Sequence, residues 1–236
     1  MVHIERYIDN TFLKGGDKKH LLHEFMSTFK GAFRALCTNE DNLEVVREAK
    51  GLFPSSPTKV AIVRNFPYGS SSKANVIADR LINEFDVVIP HKSIQQGRTA
   101  EVKKFLEDYY NSGKTIKWII EEPLYTNQEI YDIIKFLHTH YVQGNFQNRV
   151  YIKSNSGFVP RMRTLNEVAK FFPKVVRSIA PKEHFGVKIS GWVSTLAEAT
   201  KIAQRDCIIG SSKGLPIFYE QQNNIYDSAE KRIIEG

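Results

Sequence analysis

Short β-branched or apolar runs alternate with stretches of helical period along this chain, and that alternation limits the folds open to it. The strand-like runs cover residues 6–12, 33–38, 59–66, 85–90, 116–122, 149–155, 185–190 and 207–210, eight in all. Between them, Val102, Phe105, Leu106 and Tyr109 recur at i, i+3, i+4 and i+7, as do Ile130, Ile133, Ile134 and Leu137. Leu165, Val168, Phe171 and Phe172 make a third apolar stripe. Asp17, Thr126 (with Glu129 three on) and Thr164 (with Glu167 three on) mark helix starts. Regular strand–helix alternation implies parallel pairing. Eight such units in 236 residues fit an α/β (β/α)8 TIM barrel occupying 1–236 as a single domain. The rival is a doubly wound open sheet. It usually carries a glycine-rich phosphate loop after an early strand, and neither GxGxxG nor GxxxxGK[ST] occurs.

The totals exclude other classes. At 42% hydrophobic and 25% charged, the chain is neither disordered nor collagenous. Two cysteines, Cys37 and Cys207, without a CxxC, argue against a structural zinc and for a reducing, cytoplasmic setting. No apolar run is long enough to span a membrane, and the N-terminus does not read as a signal peptide. The net charge of +7 suits either an anionic partner or a solubilising surface. The lysines are scattered, and no stripe of basic and aromatic residues suggests nucleic acid. The gaps in His20/His23 and His138/His140 are not the i, i+4 spacing of a helical metal site, so both pairs read as surface residues. No metal or cofactor is expected.

A barrel carries its reactive groups at the C-terminal ends of its strands. Three strands place charge where alternation reserves an interior position. In Gly186-Val-Lys-Ile-Ser190, Val187 and Ile189 face the helices, while Gly186, Lys188 and Ser190 face inward. Lys153 alternates with Ile152, and Asp86 lies opposite Phe85 and Val87. Lysine is almost never buried without a partner. Two lysines on adjacent strands with a nearby carboxylate suit imine chemistry. An amine attacks a carbonyl only when unprotonated, and burial beside a second ammonium favours that form. A carboxylate can relay protons as the carbinolamine collapses.

With these residues in place, the chain resembles the 2-deoxyribose-5-phosphate aldolase family, class I aldolases built on a (β/α)8 barrel. Ile8-Asp-Asn-Thr-Phe-Leu-Lys14 resembles the family's I-D-H-T-L-L-K, and Ala35-Leu-Cys37 its second-strand cysteine segment. Val60-Ala-Ile-Val-Arg-Asn-Phe-Pro-Tyr-Gly69 is similar to its third strand with the following F-P-H-G. Phe85-Asp-Val-Val-Ile-Pro90 and Ile119-Ile-Glu121 resemble its fourth and fifth strands. Tyr151-Ile-Lys-Ser-Asn-Ser-Gly-Phe158 resembles F-I-K-T-S-T-G-F, Gly186-Val-Lys-Ile-Ser-Gly191 resembles G-V-K-A-S-G, and Ile209-Gly-Ser-Ser212 resembles I-G-x-S-S.

The resemblance implies Lys153 as the Schiff-base lysine, Lys188 as the ammonium that lowers its pKa, and Asp86 as the proton relay. Asp9 and Cys37 would line the pocket, Cys37 as a modification site rather than a catalyst. Ser156, Gly191, Trp192, Ser211 and Ser212 would meet the substrate. The implied reaction is reversible cleavage of 2-deoxyribose 5-phosphate to acetaldehyde and glyceraldehyde 3-phosphate, in an enzyme that is commonly a homodimer.

The phosphate segment departs from the family's G-G-[IV]-[RK]-T. Gly191-Trp-Val-Ser-Thr195 has Trp192 at the second glycine and Ser194 at the basic position. In one reading Arg161, Arg163 or Lys213 supplies the missing charge and the substrate keeps its phosphate. In another, the pocket takes a different or non-phosphorylated sugar. A third makes the barrel a non-catalytic binding protein.

Overall fold

The computed structural model describes residues 2–13, 16–65, 78–160 and 162–235. Eight strands close into one all-parallel barrel in sequence order. They are β1 (Ile8–Phe12), β2 (Ala35–Thr38), β3 (Lys59–Arg64), β4 (Glu84–Val88), β5 (Thr115–Ile119), β6 (Val150–Lys153), β7 (Phe185–Ser190) and β8 (Ile208–Ser211). All eight expected runs contain a strand, most of them shorter than the run because apolar residues continue into the loops. Closure comes from β1 and β8, where Asp9 pairs with Gly210. Lys14, the Phe66–Gly69 part of the third motif and Arg161 lie outside the described residues.

The described helices are α1 (Lys18–Lys30), α2 (Leu43–Leu52), α3 (His91–Gln95), α4 (Thr99–Tyr110), α5 (Asn127–Gln143), α6 (Leu165–Ile179), α7 (Leu196–Ala203) and α8 (Gly214–Glu235). The cap signals act as expected. Asp17 accepts from the amides of Lys19 and His20, and Thr126 and Thr164 form capping boxes with Glu129 and Glu167. The predicted stripes turn inward, with Val102 and Leu106 of α4, Ile130 and Ile134 of α5, and Val168 and Phe172 of α6 all buried. Among the described residues no helix is long and apolar enough to cross a membrane.

The histidine expectation needs correcting on α5. His20 and His23 are exposed, but His140 is 6% exposed and His138 is half-buried against His184 at 3.0 Å. His140 follows Leu137 by three residues, which puts it on the same buried face, and its ring stacks on Phe136.

The large apolar core lies between sheet and helices, where the outward residues of the strands meet the helix stripes. The barrel interior is different. On the β2–β3 side it holds a small cluster of Ala35, Cys37, Ala61 and Val63. On the β4–β7 side it is filled by charged side chains.

Candidate active site

Alternation along five strands sends charge into the barrel. Asp9 of β1, Glu84 and Asp86 of β4, Lys117 of β5, Lys153 of β6 and Lys188 of β7 are all 2% exposed or less. Lys153 and Lys188 are register partners on neighbouring strands. Their ammonium groups share one acceptor: Asp86 Oδ2 lies 2.8 Å from Lys153 Nζ and 2.7 Å from Lys188 Nζ. Lys188 also donates to Asp9 Oδ2 at 2.6 Å. Gly210 on β8 makes room for this side chain, since a Cβ there would lie 2.9 Å from Lys188 Cε and 2.7 Å from Ser190 Cβ.

The network extends further than the trio read from sequence. Lys117 Nζ lies 2.6 Å from Asp9 Oδ2, 2.6 Å from Glu84 Oε2 and 2.9 Å from Asp86 Oδ1. Below it, Arg34 pairs with Asp9 and grips both oxygens of Glu84 at 3.0 Å. Lys117 was legible: in Thr115-Ile-Lys-Trp-Ile119 it alternates with Ile116 and Trp118, as Lys188 alternates with Val187 and Ile189. Glu84 escaped because the fourth run was begun one residue late, at Phe85. Arg34 precedes β2 and carries no periodic signal.

These contacts fix the protonation pattern. Burial opposes ionisation of Asp9 and Asp86, but the surrounding cations outweigh it and hold both carboxyls well below the usual carboxylate range. Glu84 is lowered in the same way by Lys117 and Arg34. Burial also pulls on Lys117, yet three carboxylates raise it well above the ordinary lysine value. The two remaining lysines differ. Burial dominates at Lys188 and lowers it, with Lys117 and Lys153 adding to the effect of burial. At Lys153 the adjoining Asp86 carboxylate overcomes burial, so this lysine is raised. In this resting arrangement the depressed amine is therefore Lys188, the reverse of the expected order. The physical reason is burial: at Lys188 it outweighs even the Asp9 and Asp86 carboxylates that touch the ammonium, and the Lys117 and Lys153 charges add to it.

Counting charge across the cluster shows why one amine is poised to lose a proton. In direct contact, the four buried cations Arg34, Lys117, Lys153 and Lys188 meet three carboxylates, Asp9, Glu84 and Asp86, and the half-exposed Lys59 also reaches Glu84 at 3.2 Å. A surplus positive charge in a low-dielectric interior is discharged by releasing one proton. Because Lys153 and Lys188 share an oxygen, that deprotonation belongs to the pair.

The other sequence-derived residues fall around this centre. Cys37 is fully buried, and burial pushes its thiol up to about 11. It lies against the cluster as an inert thiol, closed to reagents, so the expected modification role does not fit its burial. Ser156 follows Lys153, and its amide donates to Glu121 Oε2 at 2.9 Å. Glu121 is itself buried and has φ +53, and it pins the loop that leaves β6. Ser211 is buried, with its hydroxyl donated to Val193 O at 2.6 Å, while Ser212 is exposed.

In the divergent segment Gly191 and Trp192 have φ of +86 and +68. The backbone thus keeps a left-handed pair although the second residue has a side chain, a conformation costing roughly 1–2 kcal/mol for a non-glycine. The indole is 65% exposed, turned out of the core. Ser194 does not restore a charge; its amide and that of Thr195 donate to Glu198 Oε2 at 3.0 and 3.2 Å. Arg163 is held by Glu122 at 2.6 Å and Asn127 at 2.7 Å, so it is not available as the replacement cation. Lys213 is exposed just after β8, and among the described residues no hydrogen bond or ion pair engages its ammonium. Among the described residues no cluster of His, Cys, Asp and Glu could hold a metal ion.

No protein-family model matches the chain. It is 28% identical over 190 residues to a deoxyribose-phosphate aldolase of Pyrobaculum arsenaticum, covering 72% of this chain and 76% of the relative. It is 26% identical over 233 residues to that of Caldicellulosiruptor saccharolyticus, covering 92% and 97%. The solved structure of QR15, an aldolase, superposes with a TM-score of 0.77 at 24% identity over 96% of this chain and 99% of that one, which speaks for the fold. The relatives do not favour a non-catalytic barrel. Closed barrel and curated relatives agree: the chain is similar, over most of its length, to deoxyribose-phosphate aldolases, which are lyases.

Proposed function

We propose that the protein cleaves and forms a carbon–carbon bond through a Schiff base on Lys153, with 2-deoxy-D-ribose 5-phosphate as substrate. The observation that carries this reading is the pair of ammonium groups bound to one oxygen of Asp86 inside the barrel. Lys153 is the less buried of the two, at 2% against 0%, and ends its strand, so it is the amine a substrate entering from the C-terminal face meets first.

In the cleavage direction the unprotonated Lys153 attacks the C1 aldehyde of the open-chain sugar. The carbinolamine loses water to give a protonated imine. Removal of the C3 hydroxyl proton lets the C2–C3 electron pair flow into that imine. C3 becomes the aldehyde of glyceraldehyde 3-phosphate, and the two-carbon enamine takes a proton at C2. Hydrolysis then frees acetaldehyde and Lys153. Asp86, bridging both lysines, relays protons through water, and because both amines share its oxygen the proton the pair gives up can leave from Lys153, with Lys188 then the neighbouring ammonium. No metal or cofactor takes part.

For the phosphate, the left-handed backbone at Gly191–Trp192, the start of α8 beside Ser212, and the Lys213 ammonium form the receiving rim. One observation favours a non-phosphorylated sugar instead: the Glu198 carboxylate already occupies the amides of Ser194 and Thr195. Incubation with 2-deoxyribose 5-phosphate and borohydride should add one two- or five-carbon adduct, absent in Lys153→Met. No adduct, or an adduct retained in Lys153→Met, overturns the assignment. Faster trapping by 2-deoxyribose than by its phosphate selects the second substrate.

A further inference from the structure

The opposite end of the barrel carries a feature that the lyase chemistry leaves unused. At the N-terminal ends of β1, β2, β6, β7 and β8 there is a cavity of about 240 Å³. Arg6, Arg149, Arg177 and Lys182 stand around it, and Arg34 forms part of its inner wall. One carboxylate lines it, that of Asp206, and Lys182 pairs with it. Arg34 is neutralised from within by Asp9 and Glu84. The other three arginines are different. Among the described residues no carboxylate pairs with Arg6, Arg149 or Arg177. Arg149 donates to the backbone carbonyls of Lys182 and Glu183 and lies against the Tyr151 phenol, and Arg177 donates to the carbonyl of Phe185.

Tyr151 registers the field these groups produce. Its ring lies 5.1 Å from the Arg149 guanidinium and 5.3 Å from that of Arg34. Burial would raise the phenol, but the two guanidiniums overcome it and the phenol sits below its usual range. An open, cation-lined cavity whose guanidiniums lack carboxylate partners attracts anions, since the clustered like charges focus a positive potential there. Arginine's planar donors match phosphate oxygens two at a time.

We propose that this cavity at the N-terminal end of the barrel is a binding site for a small phosphate-bearing anion, separate from the substrate pocket at the C-terminal end. Arg149 and Arg177 are its principal ligands, Arg6 and Lys182 its rim. The site needs no aldolase activity, so its test is independent of the proposed reaction.

Isothermal titration with inorganic phosphate and with pyrophosphate, at constant ionic strength set by sodium chloride, should show saturable binding. The double variant R149Q/R177Q should weaken it by about tenfold or more, the loss of at least one charge-assisted contact. The double variant R6Q/K182Q, which spares Arg149 and Arg177, should weaken it by a smaller factor; it carries the test should R149Q/R177Q fail to fold by circular dichroism. K213Q, at the far face, reports any phosphate held at the substrate rim. No saturable binding above the chloride background overturns the proposal. So does binding that K213Q abolishes and the N-terminal-face variants leave intact.

Discussion

The centre of the barrel and its C-terminal rim answer to different constraints. At the centre Asp9, Asp86, Lys117, Lys153 and Lys188 are fully buried, and each group is held by at least one oppositely charged neighbour. A change there strands a charge in low dielectric. At the rim the segment Gly191 to Thr195 has lost a glycine and a basic residue relative to the family, yet the left-handed backbone survives. The side chains of Trp192, Ser194 and Thr195 are exposed, with Val193 buried between them, so substituting any of the three leaves no charge stranded. On the function proposed above, the buried network would carry the chemistry and the rim the selectivity.

The largest expected effect breaks the centre. Lys117→Met leaves Asp9, Glu84 and Asp86 short of a shared cation and should cost about 3–5 kcal/mol of stability, read as a lower urea midpoint. An unchanged midpoint would show that the network holds without it. At the rim, Lys213→Gln should leave the fold intact and raise KM for the phosphorylated sugar by roughly 10- to 100-fold, the worth of a charge-assisted contact. KM for the unphosphorylated sugar should hold steady, and equal changes for both would remove Lys213 from phosphate binding.

Lys188→Leu sharpens the charge count. It leaves Arg34, Lys117 and Lys153 against three carboxylates, an even balance, so Lys153 keeps its proton more tightly. The working form is the free amine, present above the apparent pKa of the pair. The acidic limb of the pH–rate profile should move to higher pH, by about one unit or more. A limb that stays in place refutes the role given to Lys188. Smallest is Trp192→Gly, which relieves a left-handed non-glycine and should stabilise the fold by about 1 kcal/mol, visible as a rise in Tm. A fall would mean that the indole packs usefully.

The alternation that placed Lys153, Lys188 and Asp86 inside the barrel is a local property, because side chains of a strand point to opposite faces residue by residue. The same rule reaches Lys117, inside the fifth run, and Glu84, one residue before the fourth. It does not reach Arg34 or the pocket around Tyr151. Those depend on which strand ends meet at the barrel floor.

From sequence alone came the eight strand–helix units, the capped helix starts, the inward lysines and the departure at Trp192, all carried by periodicity and short motifs. Only the tertiary structure decided that Lys153 and Lys188 share one oxygen of Asp86, that Arg163 is already engaged by Glu122, and that arginines far apart in the chain line one cavity. Charge interactions depend on distance through space and on burial, and neither quantity is written in the order of residues along the chain.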